Sequence, residues 1–462
     1  MSEPVMAVVG FGRTGRAAVD FMLEQAGRES LLLYTDAPVA RDETVAGYES
    51  RGVRFVSGAD GFPRLRAAQT VVISPGVDGN TERFRDLKDR GVDVVSEIEY
   101  AFRFNRATIV GVTGTNGKST TVSLIHHLLL HAGRTSWLAG NIGTPFISLV
   151  RKMKEGDVAV LEISSFQLEE IREFRPHVGV LLNLTPDHLD RYTGVDAYAR
   201  AKQRLFLNQG PQDYAVANHD DCQVRSWLEN AGMAKRVWFS TEQALPEGVC
   251  LEENEIRLGF LAETDRIPLT TFPLPGPHNL QNYLAAAATV KLLGLDGRRI
   301  AAGAADFQGL PHRMETVGVI DGITFINDSK ATNVDAAEKS ILSVNSPSVL
   351  ILGGKDKGGD FSRLEELIRN RIRHVLLLGQ AAERIRSQLH GIADRLEEVS
   401  DMVEAVERGF ALLRGDNGTV LLAPGCASFD MFTSFEHRGD VFRSAVNELG
   451  ARLQRMGSGS SW

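Results

Sequence analysis

The sequence predicts an α/β protein of three domains. Short apolar runs recur along the chain, among them MAVVG, LLLY, TVVIS, TIVGVTG, VAVLEIS, VGVLLNL, YAVAN, SVLILGG, HVLLLG and TVLLAPG. They are bounded by glycine and alternate with longer helical patterns, and runs of that kind between helices form parallel sheets. The chain has 462 residues, which at roughly 150 per domain suggests three domains. The expected boundaries are residues 1–105, 106–310 and 311–462. No internal repeat of fixed period is present.

Composition narrows the class. An apolar fraction of 43% and a charged fraction of 24% are those of a globular protein. They exclude a disordered chain, a collagen and a coiled coil. Fifty-one basic and 59 acidic residues give a net charge of -8, so a broadly basic nucleic-acid binder is not expected. Cys222, Cys250 and Cys426 form neither a zinc pattern nor a disulfide framework, which points to a reducing compartment. The opening MSEPVMAVVGFGRTG lacks the charged and apolar regions of a signal peptide. No run of about 18 uncharged apolar residues occurs, so no membrane span and a cytoplasmic location are expected. The final MGSGSSW is read as a loose tail.

The first element is a glycine loop. Gly10, Gly12 and Gly15 follow the strand VMAVV and open the helical segment AAVDFMLEQAG. Glycine at these positions permits a tight turn and lets a diphosphate approach the helix N-terminus. The strand LLLY ends near Asp36, where a ribose-binding acid would sit. A nicotinamide dinucleotide and the diphosphate of a UDP-sugar both satisfy this pattern.

A second loop carries the stronger signal. Gly114, Thr115, Asn116, Gly117, Lys118, Ser119 and Thr120 follow a β-branched run and precede the helix SLIHHLLLHAG. Backbone N–H groups of such a loop surround phosphate oxygens. Lys118 can reach the β- and γ-phosphates, and a Ser119 or Thr120 hydroxyl can bind Mg²⁺. Val112 stands where the usual motif has its first glycine, and Gly114 supplies the flexibility instead. ATP binding is the reading.

Three polar residues follow within about ninety positions. Glu162 and His188 each come just after an apolar run, and Lys202 lies on an expected helix. A carboxylate at a strand end beside a phosphate loop is a natural Mg²⁺ ligand. Further on, charge collects in loops: Arg313 in GLPHR, Asp328, Lys330 and Thr332 in NDSKATN, Lys355 and Lys357 in GGKDKGGDF, and Ser428 and Phe435 in APGCASFDMFTSFEHRG. Glycines around the lysines let an anion approach the backbone. Cys426 lacks a nearby base and is not read as a nucleophile.

Taken together, GVTGTNGKST, GNIGTP, LEISSFQLE, NLTPDHLDRY, GPHNLQN, GLPHRME, NDSKATN, GGKDKGGDF and APGCASFDMFTSFEHRGDVF resemble the Mur ligases, in order and over nearly the whole chain. The resemblance implies a Rossmann-like N-terminal domain for a UDP substrate, a P-loop-type ATP-binding central domain and an α/β C-terminal domain for an amino acid. It implies ATP-dependent amide ligation through an acyl phosphate, with UDP-N-acetylmuramoyl-L-alanine and D-glutamate as partners in peptidoglycan precursor synthesis. The DNPR run of diaminopimelate-adding relatives is absent, which argues for another acceptor. A monomer is expected.

Site residues carry over one by one. Gly114 to Thr120 would hold ATP phosphates, and Asn282, Arg313 and Asp328 would contact the nucleotide. Lys118, Glu162, His188 and Lys202 would be catalytic. Ser119, Glu162, His188 and a carbamylated Lys202 would serve two Mg²⁺ ions. Substrate contacts are expected at Arg13, Thr14, Asp36, Ser74, Gly76, Asn141, Ser164 and Lys330. Asn141 and His188 would approach the muramoyl-alanine part. Thr332, Lys357, Ser428 and Phe435 would hold D-glutamate. Lys355 competes with Lys357 for the carboxylate contact, and spacing to Asp360 and Phe361 favours Lys357. Arg13 stands where an apolar residue is common; it adds a diphosphate contact or is solvated. The alternatives are a different acceptor or a folate-polyglutamate ligase, a nicotinamide-dependent oxidoreductase using the first loop, and a non-catalytic nucleotide-binding regulator.

Overall fold

The computed structural model describes residues 6–25, 31–40, 42–188, 191–228, 232–260, 263–274, 276–344, 347–356 and 358–458. Contacts divide the chain into two compact units. One comprises the residues up to Pro273 together with Leu280–Phe307; the other comprises Leu274–Asn279 and the chain from Gln308 onward.

The first unit carries two sheets. The N-terminal sheet has five strands: β1 (Met6–Val9), β2 (Leu32–Thr35), β3 (Arg54–Ser57), β4 (Thr70–Ile73) and β5 (Asp93–Ser96). They run in the order β3-β2-β1-β4-β5, and every pairing is parallel. Chain order therefore reverses at β1, between β2 and β4. Such a switch point leaves a crevice at the strand C-termini where ligands bind in open α/β sheets. The residues that follow those strands are Gly10, Asp36 and Ser74.

The second sheet has nine strands: β6 (Thr108–Thr113), β7 (Ser136–Gly140), β8 (Val158–Glu162), β9 (Val178–Leu181), β10 (Tyr214–Asn218), β11 (Lys235–Ser240), β12 (Gly248–Glu252), β13 (Glu255–Phe260) and β14 (Glu263–Pro268). Their order is β14-β13-β12-β11-β10-β9-β6-β8-β7. The strands from β6 to β12 pair in parallel. The pairs β12–β13 and β13–β14 are antiparallel. β8 and β9 are buried along their length, as a sheet covered by helices on both faces requires.

The second unit holds a six-stranded sheet of β15 (Glu315–Ile320), β16 (Ile323–Asn327), β17 (Ser348–Gly353), β18 (His374–Leu378), β19 (Leu396–Val399) and β20 (Thr419–Leu422). The order is β15-β16-β20-β17-β18-β19, with only β15–β16 antiparallel.

The α/β class stands, with two corrections in detail. The apolar run VGVLLNL does not continue as strand to Leu184. β9 ends at Leu181, and Leu182 and Leu184 are buried as loop residues. The final helix, Phe435–Ser458, extends into the stretch read as a tail. Among the described residues, no helix is long and apolar enough to cross a membrane.

Candidate active site

The site of the first unit is built at the C-terminal edge of the nine-stranded sheet. β6 ends at Thr113 and the chain turns through Gly114–Gly117 into the helix Lys118–His131. Gly114 has φ 147° and Gly117 φ 86°, both in the region that favours glycine. A Cβ on Gly117 would overlap Oδ1 of Asn282. That packing places Asn282, 5% exposed, against the loop, where it also accepts the Thr121 hydroxyl at 3.3 Å.

Asn183 shapes the loop from the other side. Its Oδ1 accepts the Asn116 N–H at 2.8 Å, its Nδ2 donates to the Asn116 carbonyl at 3.1 Å, and its own carbonyl accepts the Thr115 N–H at 3.0 Å. Lys118 Nζ donates to the Gly114 and Thr115 carbonyls at 2.8 and 2.7 Å. The loop is therefore pre-formed by side chains from neighbouring strand ends.

Glu162 is the last residue of β8, beside β6, and is 3% exposed. Its Oε2 accepts the Ser119 hydroxyl at 2.5 Å and its Oε1 accepts the Asn141 amide at 2.8 Å. Three residues expected at the site are thus in direct contact. Lys202, on the helix Val195–Gln203, is 2% exposed rather than solvated. Its Nζ donates to the Gly114 carbonyl at 2.9 Å and lies 4.6 Å from the Tyr198 ring centre. Burial, reinforced by the Lys118 charge, holds its ammonium well below the usual lysine range, while Asp187 and Glu162 pull the other way. Tyr198 stands one helical turn before Lys202 and donates to Thr115 Oγ1 at 3.3 Å. Its phenol is raised, chiefly by burial.

His188 lies in the loop after β9 with φ 53°. It is exposed, and its ring meets Phe166 at 4.8 Å and Tyr198 at 6.2 Å between centres. Its Nε2 is 3.7 Å from Asp187. Among the described residues, no group of three or more His, Cys, Asp or Glu side chains could hold a metal ion. Ser164 caps the helix Ser165–Glu169 and forms a capping box with Gln167, which gives its hydroxyl a structural task.

At the first glycine loop, Gly10 has φ 96° and a Cβ on Gly15 would overlap the Gly10 carbonyl oxygen. A Cβ on Gly10 would stand 2.8 Å from the Ser74 hydroxyl. Arg13 is exposed and opens the helix Arg13–Gln25, followed by the half-buried Thr14. Gly76 is exposed in the loop after β4. Asp36 is held by Arg83 at 2.7 Å and Tyr34 at 2.9 Å, and the Arg83 hydrogen bond keeps its carboxyl below the usual range.

The second unit assembles the loops after β16, β20 and β17, which are neighbours in the sheet. Asp328 accepts the Ser340 hydroxyl at 2.5 Å and the Met314 N–H at 3.3 Å, and burial raises its carboxyl. Arg313 acts on Asp328 electrostatically. Lys330 Nζ sits 3.9 Å from the centre of the Phe435 ring. Thr332 is half-buried and Ser428 buried. Lys355 is exposed, and its backbone pairs with Ala427. Lys357 lies outside the described residues. Cys426 is buried, and burial pushes its thiol up to about 12, which fits its exclusion as a nucleophile.

Sequence reasoning missed Arg438. It is 1% exposed and donates to Ser329 Oγ at 2.9 Å, the Ser329 carbonyl at 2.8 Å and the Cys426 carbonyl at 3.1 Å. It therefore ties the Lys330 loop to the Ser428 loop. Asn183 and Tyr198 were missed too. The spacing of Tyr198, four before Lys202, was the available signal.

The phosphate loop, with a hydroxyl and a carboxylate meeting at its helix, defines an α/β nucleotide-binding protein of the P-loop type. Three family models match in series. They are "Mur ligase MurD-like, N-terminal domain" over residues 5–96, "Mur ligase middle domain" over 112–290 and "Mur ligase, glutamate ligase domain" over 312–426. The chain is 39% identical to a UDP-N-acetylmuramoylalanine–D-glutamate ligase of Alkaliphilus metalliredigens, covering 96% of this chain and 97% of the relative. It is 41% identical to the enzyme of that name from Geobacter metallireducens, with the same coverage of both. Among solved structures, a MurF of Acinetobacter baumannii matches with a TM-score of 0.61 at 17% identity, over 96% of this chain and 93% of that one. The chain belongs to the Mur ligase family.

Proposed function

We propose that this protein is an ATP-dependent ligase that joins D-glutamate to UDP-N-acetylmuramoyl-L-alanine in cytoplasmic peptidoglycan precursor synthesis. The observation that carries this is near-full-length similarity, at 39% and 41% identity, to two ligases named for that reaction. Residues 1–105 hold the UDP substrate, 106–310 hold ATP and 311–462 supply the amino-acid contacts.

The chemistry needs an activated carboxylate. An alanyl carboxylate oxygen attacks the γ-phosphorus of ATP; the bond to ADP breaks and an acyl phosphate forms. The D-glutamate nitrogen then attacks the acyl carbon, phosphate leaves and the nitrogen loses a proton. Catalysis of this type rests on positioning and charge neutralisation. The Gly114–Thr120 loop cradles the phosphates and Lys118 offsets their charge. Asn282, Arg313 and Asp328 contact the nucleotide. Arg13, Thr14, Asp36, Ser74, Gly76, Asn141 and Ser164 are the UDP-substrate contacts. Thr332, Lys357, Ser428 and Phe435 are kept for D-glutamate, and Lys330 as a further substrate contact.

Mg²⁺ fits the donors present. The Ser119 hydroxyl and Glu162 carboxylate are the hard oxygen ligands it prefers, and His188 is kept as a further ligand. Bound there, the ions would neutralise phosphate charge. Lys202 fits a carbamate, because burial favours the neutral amine that takes up CO₂. That group would turn a buried amine into an additional carboxylate beside the metal ligands.

Phosphate release tests the reading. Purified protein is given ATP, Mg²⁺ and UDP-N-acetylmuramoyl-L-alanine, with D-glutamate, L-glutamate or no amino acid. Release that requires D-glutamate is expected. Equal release with L-glutamate, or none with either, overturns it.

A further inference from the structure

We propose that Arg191, held by Glu169, is a positioning residue that keeps the His188 loop in register with the Ser74–Val77 loop and so sets affinity for the UDP substrate. The inference rests on the ligase reading above. Arg191 is largely buried, at 14% side-chain exposure. Its Nη2 donates to Glu169 Oε2 at 2.6 Å and to the Val77 carbonyl at 3.1 Å, while Nη1 reaches the Pro75 carbonyl at 3.4 Å. The remaining Glu169 oxygen accepts the Tyr192 hydroxyl at 2.5 Å. One carboxylate therefore fixes two consecutive side chains, and one guanidinium spans both sides of Gly76.

The contact extends to His188 through Phe166. The Arg191 guanidinium lies 4.3 Å from the centre of the Phe166 ring, which Tyr192 stacks at 6.0 Å and His188 meets at 4.8 Å. A shift of Arg191 would move the packing on which His188 rests. The three acceptors are met from two nitrogens held in a fixed plane, an arrangement that the single nitrogen of a lysine does not reproduce.

Other contacts join the two sheets independently. Glu99 accepts the N–H groups of Arg172, Glu173 and Phe174, and Lys88 pairs with Glu170 at 2.6 Å. Loss of Arg191 should thus loosen one pair of loops and leave the sheets joined. That makes positioning separable from folding.

The test combines calorimetric titration of UDP-N-acetylmuramoyl-L-alanine, without ATP, with steady-state kinetics. Arg191→Lys and Glu169→Gln are each expected to weaken substrate binding about tenfold, to raise its KM in step and to leave the KM for ATP within about twofold. The double variant should bind no more weakly than Arg191→Lys, because the pair acts as one device. Tyr192→Phe, which removes only a hydroxyl, is the milder variant should the others fold poorly; it should weaken binding by about threefold. Unchanged binding in Arg191→Lys overturns the proposal. So does an equal rise in both KM values accompanied by a lower Tm, which marks a general structural role. A wild-type protein that binds the UDP substrate but releases no phosphate with D-glutamate instead defeats the ligase reading, and the binding comparison still stands.

Discussion

The Ser119 hydroxyl donates to Glu162 Oε2 at 2.5 Å, joining the first turn of the phosphate-loop helix to the end of β8 across 43 positions of sequence. Both groups are buried, and the other Glu162 oxygen takes the Asn141 amide. A hydroxyl and a carboxylate in that geometry can share one hard cation. Ser119→Ala should therefore raise the Mg²⁺ concentration needed for half-maximal rate about tenfold or more, with little change in the KM for the UDP substrate. Glu162→Gln should lose more, since it removes the charge as well. A Mg²⁺ titration of phosphate release checks both; an unmoved midpoint in Ser119→Ala would detach this pair from the metal.

Lys202 offers a separate test. The Lys202 nitrogen, buried beside Lys118, donates to the Gly114 carbonyl at 2.9 Å and the Thr113 hydroxyl at 3.5 Å and faces the Tyr198 ring; among the described residues it makes no hydrogen bond to a carboxylate. Lys202→Ala should abolish ligation and recover part of it in added acetate or formate, which fill the space with a free carboxylate. Lys202→Arg places a fixed cation there, leaves no neutral amine to take up CO₂ and should not be rescued. Rescue of neither variant at any carboxylate concentration would argue against a carboxylate role.

The phosphate loop was legible because its parts are contiguous: strand, glycines, lysine and hydroxyl all fall between Thr108 and Thr120. The strand-end position of Glu162 was legible for the same reason. Asn183, Arg438 and Arg191 were not, because each acts across the fold. Asn183 meets Asn116 over 67 positions and Arg438 meets Ser329 over 109. No local pattern announces such a pairing; only the order of strands in a sheet brings the loops together. The end of β9 was misread for a different reason. Leu182 and Leu184 are as buried as strand residues, so apolar continuity did not mark where the ladder stops.

Glu97 predicts a pH dependence of stability. It is fully enclosed, accepts the Ile147 N–H at 2.6 Å, and burial pushes its carboxyl up to about 7 from 4.5. The folded state thus holds a proton that the unfolded chain releases between those values. The Glu97 contribution to stability falls as pH rises from about 4.5 to about 7 and is constant beyond. At about 1.4 kcal/mol per pH unit, the full effect is roughly 3 kcal/mol. Glu97→Gln removes the titration. Its Tm relative to wild type should be more favourable at pH 8 than at pH 5, and a difference that stays constant across that range would refute the assignment.

The glycines of the first loop divide by what demands them. Gly15 has no room for a Cβ, which would overlap the Gly10 carbonyl, and Gly10 sits at φ 96° against Ser74. Those two are required by the turn itself. Gly12 differs: a Cβ there would meet nothing within 4 Å, and its φ is not positive. The fold alone gives no reason for glycine at that position, whereas close approach of a diphosphate does. Gly12→Ala should therefore keep the wild-type Tm within about 2 °C, given that surface substitutions usually change stability by under about 0.5 kcal/mol. It should raise the KM for UDP-N-acetylmuramoyl-L-alanine about tenfold with the KM for ATP unmoved. Gly15→Ala should instead lower Tm before any effect on binding can be read. A Gly12→Ala protein that matches wild type in both Tm and KM would mean that no ligand backbone contact is made at this glycine, and the diphosphate would have to be held elsewhere.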